Sequence, residues 1–156
     1  MSAALPGLTD VTHLFTMLFG HETACKARKS PLSRQEGAIV ASYLDNCGEI
    51  KRLISCDIAF ANSAGAALSA IPAGAANDAT KSGEVPENIL ANLLEVMNVA
   101  VNLFTESFGG RLELGSVSRL SDLSPETQAA LASIQRVKLD VAIPRYDMGR
   151  VDLIAI

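Results

Sequence analysis

The 156-residue sequence predicts an α/β domain of the α+β type, built as two similar halves of one helix and three strands each. Three observations carry this expectation. Element signals run in the order helix, three strands, helices, helix, three strands. A shift of 85 residues lays Asp10 to Phe19 on Glu95 to Phe104, with Val11 on Val96, Leu18 on Leu103 and Phe19 on Phe104. The longest periodic stretch, Glu87 to Phe108, repeats apolar residues at the three- and four-residue spacing of a buried helix face. The expected architecture is a pseudo-twofold domain over residues 1–156, with half-repeats at about 8–60 and 86–156 and a helical connection over 61–85. The helices of residues 8–19 and 86–108 are expected side by side on one face of the sheet.

Taken in order, Leu8 to Phe19 reads as an amphipathic helix starting near Thr9 or Asp10 and stopping at Gly20. Thr23 to Ser30 alternates small or apolar residues with Lys26 and Arg28, a strand signature that Pro31 ends. Gly37 to Leu44 and Glu49 to Phe60 flank Asp45-Asn46-Cys47-Gly48 and predict a hairpin. Ala61 to Ile71 predicts a helix whose Ala61, Gly65 and Ser69 share a side and allow close approach, with Pro72 as terminator. Ala75 to Ser82 adds one or two helical turns before Gly83, and Pro86 sets the first turn of the long helix. Arg111 to Arg119 alternates as a strand, and Ser124-Pro125-Glu126 starts a short helix reaching about Ile134. Arg136 to Ile143 and Arg150 to Ile156 read as two strands, the second ending on an apolar LIAI expected to be buried in the sheet.

Composition narrows the partners. Hydrophobic residues make up 49% and aromatics only 4%, so the core is expected to pack small side chains closely. A net charge of -4 argues against nucleic acid or an anionic membrane as partner, since both need a concentrated basic surface. Cys25, Cys47 and Cys56 form no CxxC pair and read as three reduced, core-filling thiols of a cytosolic protein. The start, MSAALPGL, lacks the basic and apolar run of a signal peptide, and the uncharged Ile58 to Asn77 is too rich in Ala, Gly and Ser, and too broken by Pro72, to read as a membrane span.

The long helix carries the functional signal. Opposite its apolar face, Asn88, Asn92, Glu95, Asn98 and Asn102 gather on one arc. Asparagine is a mediocre helix former because its amide competes for backbone hydrogen bonds, at a cost of a few tenths of a kcal/mol each. A merely solvated face more often carries Lys, Glu and Arg. Glu95 and Asn98, three residues apart, share a face within reach of one small target, where a carboxylate can grip a cation while an amide orients water.

The hairpin, the Ala-rich DIAFANSAGAALSAI and the long helix with LLEVMNVAVNLF together resemble the CheC/CheX/FliY group of chemotaxis phosphatases over about residues 8 to 156. The signature of that group is an acidic residue or Ser, three residues, Glu, two residues, Asn. The resemblance implies that Glu95 contacts the active-site Lys of a phosphorylated receiver domain and that Asn98 places water on the aspartyl phosphate. Asn88, Asn92 and Asn102 are then flanking partner contacts. No cofactor is implied for the chain itself, the divalent ion being the receiver's. Ala91 stands at the leading position and departs from the pattern. In the other half Pro6, Asp10 and His13 occupy the equivalent positions, which reads as a decayed second site. The leading reading is thus a domain that binds phosphorylated receivers and can hydrolyse the aspartyl phosphate. The alternative is a catalytically silent module of the same fold that uses the arc and the strand edges for a protein partner or for homodimerisation.

Other constellations point elsewhere. His13, His21, Glu22 and Cys25 have no recognised metal-ligand spacing, and no metal site is expected. Lys26, Arg28, Lys29 and Arg34, followed by Lys51 and Arg52, read as a solvated strand face or a rim for an acidic partner. Ser63, Ser69 and Ser107 lie in no nucleophile elbow, Ser55-Cys56-Asp57 has no nearby His, and Tyr146 is expected to cap the sheet edge or stack on a partner.

Overall fold

The structure is a computed structural model that describes residues 4–156. Helix α1 (Leu8–Phe19) buries Val11, Phe15 and Phe19 at four-residue intervals, and Gly20 closes it in the left-handed conformation (φ 71°). Gly7 takes the cap position, which leaves Asp10 in the first turn. Strand β1 covers only Ala24–Ala27, shorter than the predicted stretch, because the chain then leaves the sheet and brings Leu32 N–H to the Asp152 carboxylate at 2.9 Å. Strands β2 (Gly37–Leu44) and β3 (Ile50–Asp57) form the predicted hairpin. Asp45 Oδ1 accepts from the N–H groups of Cys47 and Glu49, and Gly48 supplies the positive φ.

The second hairpin arm stops at Asp57, three residues before its predicted end. Its carboxylate accepts Phe60 N–H at 2.8 Å and so caps helix α2 (Ile58–Leu68) directly from the strand. Burial holds that carboxyl above its ordinary range. Helix α3 (Ala73–Ser82) follows, fastened by the buried Asn62 of α2, whose amide donates to Thr80 Oγ1 and Glu84 C=O. The predicted long helix is divided into α4 (Glu87–Val99) and α5 (Asn102–Phe108), with Pro86 at the cap position rather than in the first turn. Strand β4 (Glu113–Arg119) leads through a 3-10 turn, Leu120–Asp122, to helix α6 (Pro125–Ala130), where Ser124 caps as predicted by accepting Thr127 N–H. Strands β5 (Arg136–Ala142) and β6 (Gly149–Ala155) complete the chain's elements, and Leu153, Ile154 and Ala155 are buried.

All pairings are antiparallel, in the order β1-β5-β6-β3-β2-β4. Exchanging β1 with β4, β2 with β5 and β3 with β6 turns this order into its own reverse. That is the signature of a pseudo-twofold axis between β3 and β6, as the repeat predicts. One face of the sheet packs Tyr43, Ile54, Leu139 and Val151 against Phe15, Phe60, Leu93, Met97 and Phe104 of the helices. The opposite face carries a smaller cluster of Val40, Leu53 and Ile154 under Leu123 and Leu131.

Helix α1 and the long helix share one face of the sheet as expected, with α1 meeting α5, and the closest helix pair is formed by α2 lying along α4. The reason is Gly65, where an added Cβ would fall 2.5 Å from Ile89 O and 2.6 Å from Ile89 Cγ2. No other residue lets the two backbones come so close. Residues Glu87–Phe108 are long and apolar enough to cross a membrane by length and composition. Their apolar stripe is nevertheless turned onto α2 and the sheet, and Asn88, Glu95, Asn98 and Asn102 occupy the outer side.

The Gly65 contact makes a prediction of unusual sign. Gly→Ala within an exposed helix stabilises by about 1 kcal/mol. Gly65→Ala is expected to destabilise by about 1–3 kcal/mol through overpacking against Ile89, read as a lower denaturation midpoint in urea at an unchanged slope.

Candidate functional site

Along their outer side α4 and α5 present Asn88, Ala91, Glu95, Asn98 and Asn102 in three- and four-residue steps, and all five are exposed. Glu95 and Asn98 stand next to each other on this ridge. Leu94, 44% exposed, lies beside them. Asn92 belongs to the sequence-predicted arc but turns inward. Its Nδ2 donates to Gly65 C=O at 2.8 Å and to Ser69 Oγ at 2.7 Å, so its amide fastens α4 to the end of α2.

Directly beneath Asn98 the helix changes pitch. Val101 N–H turns to Asn98 C=O at 3.4 Å, and Leu103 and Phe104 also bond three residues back. Met97 C=O is left to the buried Tyr43 hydroxyl, which donates to it at 2.6 Å. Tyr43 packs on Phe104 at 5.2 Å between ring centroids, and burial drives its phenol pKa far up, so it remains a donor. Strand β2 of the first half therefore holds the second half's helix at the residue that precedes Asn98. The sequence pattern contains no sign of this, because Tyr43 reads there only as an apolar strand residue.

The equivalent residues of the first half lie toward the α5 end of the ridge. Asp10 and His13 are exposed on α1 and border a cleft of ≈ 570 Å³ that also takes in Asn102 and Glu106 of α5. Pro6 is buried in its wall. The basic run divides as well. Arg28 pairs with Asp152 and Asp140. Arg52 is 3% exposed and lies over the Phe108 ring at 5.1 Å. Neither is the solvated strand residue expected. Tyr146 does not cap the sheet edge, since its hydroxyl donates to Ile71 C=O at 2.5 Å and ties the β5–β6 loop to the chain after α2.

The three cysteines are free. Cys56 is buried with its thiol pKa pushed up by burial, whereas Cys47 is exposed at the hairpin tip and not in the core. Among the described residues no group of three or more His, Cys, Asp or Glu is placed to hold a metal ion.

Three substitutions separate positioning from display at this helix. Asn92→Ala is expected to cost about 1–2 kcal/mol through the two lost hydrogen bonds. Asn98→Ala is expected to leave stability unchanged or raise it by a few tenths of a kcal/mol. Thermal denaturation of the two variants checks the contrast. Tyr43→Phe should cost about 1–3 kcal/mol by stranding the Met97 carbonyl. Hydrogen exchange should then accelerate at the α4–α5 junction more than in β6.

No protein-family model and no curated protein matches the sequence. Solved structures do match the fold. FliY of Thermotoga maritima superposes with a TM-score of 0.57 at 12% identity, covering 96% of this chain and 84% of that one. A chain of the FliM–SpeE complex from H. pylori gives 0.59 at 7% identity, with 95% and 80% covered. The chemotaxis protein CheX of Vibrio vulnificus gives 0.43 at 9% identity, with 94% of each chain covered. On the first two of these, the chain has the CheC/CheX/FliY fold.

Proposed function

We propose that this chain is a chemotaxis-type signalling domain that docks phosphorylated receiver domains on the α4–α5 ridge and promotes hydrolysis of their aspartyl phosphate. The observation that carries the proposal is the ridge itself. Glu95 and Asn98 stand exposed and adjacent on a helix fixed from below by Asn92 and Tyr43. Side chains presented from a rigid helix are suited to chemistry by positioning, which needs no nucleophile on the protein. In this reading Glu95 forms an ion pair with the receiver's active-site lysine. Asn98 orients a water in line with the phosphorus, and the receiver's own divalent ion balances the charge on the phosphoryl oxygens. Asn88 and Asn102 extend the contact along the ridge, and the chain itself needs no cofactor.

Ala91 favours a second reading. It occupies the ridge one turn before Glu95, where the family pattern has an acidic residue or Ser, and its methyl group can neither accept nor donate a hydrogen bond. A docking module without turnover, or a dimerisation face, fits that feature.

Loss of phosphate from a panel of phosphorylated receivers decides between them. Acceleration by the wild type, reduced about 10²-fold by Asn98→Ala, supports hydrolysis. Ala91→Ser is expected to raise the rate further. Unaltered decay of every receiver, together with binding that Glu95→Ala abolishes, establishes the silent module instead.

A further inference from the structure

At the sheet end formed by Gly37 and Arg119, a second feature, which wraps from the α3–α4 connection (Gly83, Val85) round to the opposite face, has no role in the reading above. The ends of β2, β3 and β4 meet the overhang of the 3-10 turn and α6, and the space between them forms a two-lobed cleft. Its lobes measure ≈ 570 and ≈ 370 Å³ and share Arg34, Gly37, Leu120 and Leu131 in their walls. Arg119 lies in the first lobe, and Arg136 and Lys138 lie in the second.

Four cations therefore line this cleft, and no Asp or Glu does. In a chain of net charge -4 that is a local field of opposite sign to the whole. Two of the four are already committed: Arg136 to Asp152, and the Lys138 ammonium to Lys29 C=O. Arg34 and Arg119 are exposed and form no ion pair among the described residues. Their guanidinium groups present planar forks that match carboxylates. Between them the floor is apolar, from Leu120 and Leu131, and Ile134 stands 93% exposed at the rim of the second lobe.

The dimensions select the occupant. From Arg119 on β4, on the helix face with Ile39, round the sheet end to Lys138 on the opposite face of β5, the cleft passes four strand spacings, at least about 19 Å at ~4.8 Å each. A small metabolite fills only one lobe, whereas an extended peptide at ~3.3 Å per residue spans the distance with about six residues. In an extended segment alternate side chains point to opposite sides, so a sequence alternating apolar and acidic residues sets one row on the leucines and the other toward the arginines. We propose that this cleft binds an extended acidic–apolar segment of a partner protein, independently of the α4–α5 ridge.

Selection of a displayed random dodecapeptide library on the full chain tests this. The expected result is enrichment of peptides that alternate Asp or Glu with Leu, Ile or Phe. Their affinity, measured by fluorescence anisotropy, should fall about tenfold or more in the Arg34→Ala/Arg119→Ala double variant, as the loss of charge-assisted pairs requires. It should weaken with added salt and stay unchanged in Asn98→Ala. Repeating the selection on Arg34→Glu/Arg119→Glu should enrich basic peptides instead. Both arginines are exposed, and unchanged thermal denaturation of the variants will show that their fold is kept. Enrichment without acidic bias, no enrichment, or binding indifferent to both variants overturns the proposal. Saturation of the cleft by octanoate while no peptide is enriched also overturns it, and assigns the site to small amphipathic carboxylates.

Discussion

A single buried carboxylate joins the two halves of this fold. Asp152 lies at the pseudo-twofold strand pair, opposite Ser55, with none of its surface exposed. An unpaired ion at such a site costs several kcal/mol, so its position is tolerated only because donors converge on it. They come from both halves: Arg28 and the Leu32 N–H from the first, and Arg136 at 3.0 Å from the second. The short β1 and the loop after it follow from this demand, since the chain must leave the sheet for Leu32 to reach the carboxylate. Asp140 and Arg150 carry the same charge pattern outward toward Glu36. Two copies of a helix-and-three-strand unit thus become one sheet with a charged seam, and neither half satisfies the seam alone.

On the other face the constraint is steric. Gly65 brings α2 onto α4, and Asn92 spans the gap that the close approach leaves. Tyr43 then fixes the far end of α4 by taking a carbonyl that an ideal helix would have satisfied internally. The pitch change at Ala100–Val101 follows from that hydrogen bond and divides one predicted helix into two. It also orients the ridge, because Asn98 lies between the residue Tyr43 grips and the tightened turn. Rigidity under the ridge and exposure upon it have the same origin.

How much of this was legible in the sequence depends on the range of each signal. Helix α1, strand β2 and the Ser124 cap follow from local chemistry and match closely, whereas β3 ends at Asp57 and α6 at Ala130, short of their predicted Phe60 and Ile134. The repeat at a shift of 85 residues foresaw the reversed strand order, since equivalent elements in two halves must occupy equivalent places. Gly65 was legible as a permission for close approach but not for its partner Ile89, which lies a helix and a loop away. Asp57 falls inside the predicted second hairpin arm, although the same carboxylate serves equally as a cap. Arg28, Arg52, Tyr43 and Asn92 were misread or read incompletely for one reason: their partners, Asp152, Phe108, Met97 and Gly65, are remote in sequence. The paired lobes around Arg34 and Arg119 were invisible for the same cause, being assembled from β2, β4 and α6.

The ridge divides into two chemical zones. After Asn88, Ala91 and Leu94 make an apolar step, and Glu95, Asn98 and Asn102 make the remainder polar. An acid at position 91 would stand one turn from Glu95, and like charges at that spacing repel by a few tenths of a kcal/mol on a helix. Alanine removes that repulsion and leaves Glu95 as the ridge's one carboxylate between Asn88 and Asn102, free to pair with a single incoming ammonium. It adds apolar area beside Leu94 at the same time. Both effects would favour the proposed docking, and neither supplies a group for chemistry. In the proposed function, affinity on this surface would rest on Glu95 and the apolar zone, while turnover would rest on Asn98 and the water it orients. On that proposal the two properties are separable in one domain, and substitutions at adjacent turns of α4 would act on one without the other.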